Sequence, residues 1–340
     1  MTDLATERRL IEIIRRAARP APGVRVGIGD DCAVLEPDVG SLLLATTDLL
    51  IEDVHFRRRW ATPTDIGWKS LAVNVSDIAA MGGRPRWALI ALACPEAVRV
   101  DEAEAFYAGV QALATEYDVV IVGGDTSASP RGWIVNVTLL GDAAQAPLVR
   151  STAGVGDVIA VTGSLGRAAA GLALLEATPP PTDIGADARA DVTTAHLRPR
   201  PRTREGRWLA AAGGVTSMID LSDGLATDLG HVCEESGIGA RVELERVPVA
   251  STVDAVARAL DRDALAWATS GGEDYELLLT CKPAAFERLA EGLARATGTR
   301  LSAVGEMTAA AEGVRYLDAG GRVVPIRPGF EHFVTGRARA

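Results

Sequence analysis

The sequence predicts a two-domain protein of the α/β (α+β) class: an N-terminal domain of mixed sheet and helices over 1–147 and a C-terminal α/β domain over 148–340. Three observations carry that expectation. A chain of 340 residues is long for a single hydrophobic core. Short apolar runs of strand length alternate with segments of helical periodicity along the whole chain. The pattern also restarts after Leu148-Val149-Arg150-Ser151, where Gly154-Val155-Gly156-Asp157 turns into a fresh apolar run. No period of roughly 20 to 50 residues recurs, which sets solenoids and propellers aside.

The elements follow in order. Leu4, Ile11, Ile14 and Ala18 sit at helical spacing, and Pro20 and Pro22 end that helix. Residues 42–47 read as a buried strand ending at Asp48. Residues 65–81 read as a helix with Ile66, Leu71, Val75 and Ile78 on one face, stopped by Gly82-Gly83, so Asp77 lies near its C-terminal end. Strands over 87–93, 119–122 and 133–141 surround a helix over 101–117. In the second half come a strand over 158–161, a loop and helix over 163–175, and a helix over 203–212. Strand 215–219, helix 224–236, strand 240–244, strand 275–280, helix 283–297 and strands near 301–305 and 313–325 complete it. Between them, Thr178-Pro179-Pro180-Pro181-Thr182 and the Ala-rich stretch to 195 read as a mobile surface excursion.

Composition narrows the function. Apolar residues make up 48% and charged residues 24%, ordinary for a globular protein. The net charge of −10 argues against a nucleic-acid partner, whose phosphates need basic residues. No apolar run approaches the roughly 20 residues that cross a bilayer, and the N-terminus lacks a secretory pattern, so no membrane role and a cytoplasmic location are expected. Cys32, Cys94, Cys233 and Cys281 are widely spaced and suggest neither a disulfide framework nor zinc. Lys69 and Lys282 are the sole lysines, and no Gly-x-x-x-x-Gly-Lys-Ser/Thr or protein-kinase motif set occurs. Any grip on phosphate must come from metals, backbone amides and arginine.

The acidic loops point to such a metal site. Gly27-Ile28-Gly29-Asp30-Asp31-Cys32-Ala33-Val34 sets adjacent carboxylates between glycines. Thr46-Thr47-Asp48, Ser76-Asp77, Gly123-Gly124-Asp125-Thr126 and Asp220-Leu221-Ser222-Asp223-Gly224 add further carboxylates at expected strand ends and turns. Each alone is equally a turn, an Asx loop or an N-cap, Ser222 or Asp223 being a natural cap for the helix that follows. Together they make an oxygen-only donor set suited to Mg²⁺ and to phosphate chemistry. The Asp220–Gly224 loop also meets a helix N-terminus, a natural phosphate seat. Gly271-Gly272-Glu273-Asp274 could be a hairpin turn or face a substrate. His55, His196 and His231 read first as structural, Arg57-Arg58-Arg59 as a solvated charge run, and Arg150 as a phosphate candidate.

Taken jointly and in order, Gly-Ile-Gly-Asp-Asp-Cys-Ala-Val (27–34), Thr47-Asp48 with His55-Phe56, Ala-Val-Asn-Val-Ser-Asp-Ile-Ala-Ala-Met-Gly (72–82), Gly-Gly-Asp-Thr (123–126), Asp-Leu-Ser-Asp-Gly-Leu (220–225) and Gly-Gly-Glu-Asp-Tyr-Glu-Leu (271–277) resemble the thiamine-monophosphate kinase family. The resemblance spans roughly 27 to 333. It implies the ATP-binding fold shared with aminoimidazole ribonucleotide synthetase and selenophosphate synthetase. It also implies a homodimer formed through the N-terminal domain, and a C-terminal domain closing over ATP. The implied reaction is ATP plus thiamine monophosphate giving ADP plus thiamine diphosphate, with several Mg²⁺ ions. By matching motif positions, Asp30, Thr46, Thr47, Asp48, Asp77, Asp125, Asp220 and Asp223 would hold metal. Gly124, Arg150 and Ser222 would touch ATP, with Tyr107 near the base, and His55, Glu273 and Phe330 would contact thiamine phosphate. Two departures stand out: Arg167 replaces a commonly acidic residue and receives no role, and Phe330 replaces a more polar aromatic.

The residue inventory suits that reaction. A phosphate monoester has a second pKa near about 6, so its oxygen is largely ionised at neutral pH and needs no catalytic acid, base or nucleophile from the protein. Three other readings stay open: a relative acting on another acceptor, as in hydrogenase maturation or selenophosphate synthesis; a silent nucleotide-binding regulator; and a Mg²⁺-dependent phosphatase. Asp30→Asn or Asp125→Asn is expected to depress turnover far more than stability. Turnover measured beside thermal unfolding checks this, and a variant that loses stability while keeping its turnover contradicts it.

Overall fold

A computed structural model of the chain describes residues 21–26 and 33–329. The expected helix over 4–19, together with Asp30, Asp31, Cys32 and Phe330, lies outside the described residues. The chain divides into two compact units, Met1–Pro147 with Arg200–Ala211, and Leu148–Pro199 with Ala212–Ala340.

The first unit is built on a four-stranded sheet. A short antiparallel pair, β1 (Val24–Val26) and β2 (Val34–Leu35), precedes β3 (Leu42–Ile51), helix α1 (Pro63–Ala80), β4 (Arg84–Cys94), helix α2 (Val100–Glu116), β5 (Val120–Ala128) and β6 (Ile134–Ala143). The sheet order is β3-β6-β4-β5, antiparallel except for the parallel β4–β5 pair. Helix α1 starts where the sequence can cap it: Thr62 Oγ1 accepts from the Asp65 amide at 3.2 Å, Asp65 returns a carboxylate to the Thr62 amide at 3.0 Å, and Pro63 opens the first turn. Its buried Ile66, Leu71, Val75 and Ile78 are the stripe expected from periodicity. Helix α1 lies against β3, β4 and β6, and α2 packs on α1.

Both strands that carry site candidates run further than expected. Residues 42–47 extend to Ile51, and 119–122 extend through the two glycines to Ala128, so Asp48 and Asp125 lie within strands instead of at their ends. Polar residues are tolerated there because neither strand has both faces buried.

After β6 come β7 (Val158–Thr162), α3 (Arg167–Glu176), α4 (Ala186–Leu197), α5 (Thr203–Ala212), β8 (Val215–Asp220), α6 (Leu225–Ser236), β9 (Gly239–Glu243), α7 (Ser251–Leu260), α8 (Ala264–Ser270), β10 (Leu277–Cys281), α9 (Pro283–Thr297), β11 (Leu301–Thr308), β12 (Val314–Leu317) and β13 (Val323–Val324), all in the second unit except most of α5. The second unit's seven-stranded sheet runs β13-β12-β9-β11-β7-β10-β8, with β12–β9 the parallel pair. Most of α5 belongs to the first unit, a return that a division at 147/148 leaves out. Gly206 allows it: a Cβ there would stand 2.1 Å from the Ala79 carbonyl oxygen, so α5 meets α1 backbone to backbone.

One core packs Ile159, Val161, Ile219, Leu229, Leu278 and Val304, and a second packs Leu174 of α3, Val192 of α4 and Val253 and Val256 of α7. The excursion expected over 178–195 is therefore corrected. From Ala186 it is helix, and its Val192 is completely buried. Alanine-rich composition favours helix, and Val192 gives the helix an apolar side chain to bury. Helices α7 and α8 were also missed, being short and close to proline and glycine.

Asp157 fastens the turn before β7, accepting from the Gly154 amide at 2.8 Å, Thr216 Oγ1 at 2.6 Å and Lys282 Nζ at 2.8 Å. The described cysteines, Cys94, Cys233 and Cys281, are buried and free, and burial pushes each thiol up to about 11. Asp274 fastens the start of α3 in place of a local cap, accepting from the Gly166 amide at 2.6 Å and the Ala168 amide at 3.1 Å. Loss of water around its carboxyl outweighs these bonds and pushes it up to about 7. The folded chain therefore holds this proton more tightly than the unfolded chain does. The resulting stabilisation is complete below about pH 4 and fades as pH rises towards 7. The melting-temperature advantage of wild type over Asp274→Asn is expected to shrink across that window, and an advantage that grows with pH contradicts it.

Candidate functional site

The first unit sorts its acidic candidates onto the two faces of its sheet. Strand pairing puts Asp48, Val137, Ile90 and Gly124 in one row, and Leu49, Asn136, Ala91 and Asp125 in the next. Neighbouring rows point to opposite faces. Asp48 and Thr46 thus share the α1 face, where Thr46 Oγ1 donates to Asp77 Oδ2. Thr47 points the other way, donating to the Val137 carbonyl at 3.1 Å and accepting from Asn136 Nδ2 at 3.0 Å. Asp125 shares that open face. The crowding expected of three adjacent oxygens at 46–48 is corrected accordingly: strand geometry separates Thr47 from Thr46 and Asp48.

Gly124 is required by the packing, because a Cβ would stand 1.9 Å from the Ile90 carbonyl oxygen. The half-buried His55 follows β3, and its Nδ1 accepts from the Ile51 amide at 3.0 Å. The neutral ring then carries its proton on Nε2. Lys69 Nζ, itself buried, donates to the His55 carbonyl at 3.4 Å. The arginine run is no plain solvated stretch: Arg58 pairs with Glu102 and lies 5.0 Å from the Trp133 ring centre, and Arg59 lies 4.0 Å from that of Trp60.

Tyr107 is corrected as a nucleotide contact within this unit. It is 2% exposed, stands edge-on to Phe106 with ring centres 5.1 Å apart, and its hydroxyl has no hydrogen-bond partner among the described residues. Its place on the inward side of α2, beside Ala103 and Val110, explains the burial.

In the second unit β8 delivers Asp220, 5% exposed, directly into the Leu221–Gly224 loop. That loop is stitched to the Gly271–Glu276 segment: the Leu221 amide donates to the Glu276 carbonyl, the Tyr275 amide to the Leu221 carbonyl, and the Glu273 amide to the Ser222 carbonyl, at 2.8–2.9 Å. The N-cap of α6 is Gly224, without a side-chain cap, so neither Ser222 nor Asp223 serves that role. The loop amides of Asp223 and Gly224 instead donate to Asp228 Oδ2 at 3.1 and 3.0 Å.

Asp228 was not singled out from the sequence, although the signal was there. It stands with Leu225, Leu229 and Val232 on the buried side of α6, where a carboxylate is out of place. Burial, then the charges of Asp220 and Asp223, push it up to about 8. A metal-ligating atom from each of Asp223, Asp228 and His231 lies within 4.8 Å of the others. His231 therefore has a place in this cluster that its structural reading left out.

Glu273 holds a left-handed backbone, φ 70°, and its Oε2 lies 3.1 Å from Nδ1 of the buried His196 on α4. Arg167 reaches towards Asp191 at 3.4 Å and Glu276 at 3.6 Å. Arg150 is exposed, its carbonyl accepting from Ser236 Oγ at 2.9 Å.

Apart from the His231 imidazole, the donors named in each unit are carboxylates and hydroxyls, the set a hard cation such as Mg²⁺ prefers. Asp220 and Asp223, whose charges add to burial in raising Asp228, fit such an ion, which would offset their negative charge.

Comparison with known proteins agrees with these motifs. Residues 29–143 match the model of the AIR synthase related protein N-terminal domain, and 154–318 match that of its C-terminal domain. Thiamine-monophosphate kinase of Salmonella typhimurium is 40% identical over 316 residues, covering 92% of this chain and 93% of its own. A crystal structure of thiamine-monophosphate kinase from Stenotrophomonas maltophilia superposes with a TM-score of 0.81 at 35% identity, covering 93% and 97% of the two chains. AaThiL complexed with AMPPCP and TMP gives 0.76 at 33% identity, covering 90% and 92%. With the acidic motifs present in order and the likeness running through both units, the chain belongs to the thiamine-monophosphate kinase family of AIR synthase related proteins.

Proposed function

We propose that this protein transfers the γ-phosphoryl group of ATP directly to the phosphate of thiamine monophosphate, giving thiamine diphosphate and ADP, as a step of thiamine diphosphate biosynthesis. The observation that carries this reading is the 40% identity, over 92% of the chain, to a relative named for that reaction. The solved relative complexed with AMPPCP and TMP supports a site that takes both an ATP analogue and the acceptor.

The residues divide the work. Asp48, Thr46 and Asp77 on the helix face, Thr47 and Asp125 on the open face, Asp30, and Asp220 and Asp223 in the second unit would hold several Mg²⁺ ions. When bound, these ions supply charge neutralisation for two polyanions that otherwise repel. The backbone at Gly124 can approach a phosphate closely, and Ser222 and Arg150 contribute a hydroxyl and a guanidinium to ATP. His55, with its ring fixed through Nδ1, offers Nε2–H to an acceptor oxygen. Glu273 and Phe330 complete the thiamine side, Glu273 being steadied by His196. No side chain has to accept a proton, because the attacking phosphate oxygen is already ionised.

We also place the enzyme in the cytoplasm as a homodimer. No described helix is long and apolar enough to cross a membrane. The edge strand β3 leaves Leu43 56% and Leu49 48% exposed on its open face, apolar area that a second copy would cover.

Incubation with ATP, Mg²⁺ and thiamine monophosphate, with products resolved chromatographically, tests the reaction. Thiamine diphosphate and ADP are expected in equal amounts, and chelation should abolish both. ADP with free phosphate regardless of acceptor supports a phosphatase instead, and no turnover with ATP still bound supports a silent regulator.

A further inference from the structure

We propose that Asp228 is a positioning residue that clasps the Asp223–Gly224 segment and so sets where Asp223 presents its carboxylate, an inference that rests on the metal reading of Asp220 and Asp223. The backbone bonds from residues 273–276 hold the loop at Leu221 and Ser222. Asp228 holds the two residues that follow, taking the amides of Asp223 and Gly224 on one oxygen. Gly224 is the loop's hinge. Its φ of 104° lies where side-chain-bearing residues rarely go, and a glycine left unclasped samples many other conformations.

A second observation makes the clasp more than packing. Asp228 is 2% exposed on the apolar side of α6, where a leucine would bury more area at no electrostatic cost. A carboxylate there is costly for folding and useful for ordering the loop. One helix residue thus ties α6, a rigid element, to the carboxylate beside it, as supporting residues do in metal sites.

The test separates position from charge. Asp228→Asn keeps an acceptor for the two amides without the charge, whereas Asp228→Glu keeps the charge but moves the acceptor by one methylene. Mn²⁺ binding to the full chain is measured by calorimetry or by the spin-resonance signal of free Mn²⁺, with thermal unfolding in parallel and Asp223→Asn as the reference for loss of this half-site. Asp228→Glu is expected to weaken binding about 10-fold or more, and Asp228→Asn to stay within about threefold of wild type. The reverse order overturns the inference in favour of a charge contribution. Unchanged binding in both variants, with altered melting temperatures, overturns it in favour of a merely structural role. Unchanged binding in Asp223→Asn overturns the metal reading itself, and this inference with it.

Discussion

Mutual repulsion of enclosed carboxylates is the constraint on which this structure turns. Two like charges about 4 Å apart in an environment of moderate polarity repel by about 4 kcal/mol, a large share of a domain's net stability. Asp220 and Asp223 are nevertheless brought to one loop, with Asp228 of α6 beside them, where burial first and the charges of Asp220 and Asp223 second push its carboxyl up to about 8. A chain selected for stability alone would replace at least one of them. Their persistence makes sense when a cation completes the arrangement, so that the cost in the bare protein becomes affinity for the ion and, through it, for phosphates.

The rest of each unit serves to make such loops rigid. In the first, a capped α1 lies on the sheet and brings Asp77 to Thr46, while the pairing of β3, β6, β4 and β5 fixes which carboxylate faces which side. In the second, the Gly271–Glu276 segment and α6 grip the Asp220–Gly224 loop from opposite ends. Asp274, one residue after Glu273, ties the same segment to α3, so Glu273 stands between two anchored points.

Much of this was legible in the sequence, for identifiable reasons. Strands such as 158–162 and 277–281 are apolar but for Thr162 and Thr280 because both faces are covered, and helices such as 63–80 and 283–297 show their periodicity and their proline starts. The acidic motifs were visible because carboxylates beside glycines interrupt apolar runs. What escaped depends on pairing and packing at a distance. The alternation of Thr46, Thr47 and Asp48 across a sheet needs the strand to continue past Asp48, and that follows from its ten-residue pairing with β6. Tyr107 looks like a base-stacking surface until α2 turns it inward. His196 and Asp228 act on residues 77 and five positions away, and only the fold reveals what they touch.

The claim that these carboxylates form a cation site is tested most directly by thermal unfolding with and without Mg²⁺. With a cation site here, Mg²⁺ raises the melting temperature of the wild type, a non-hydrolysable ATP analogue raises it further only when Mg²⁺ is present, and Asp223→Asn loses most of both gains. A melting temperature indifferent to Mg²⁺, with the analogue stabilising equally in its absence, would contradict it.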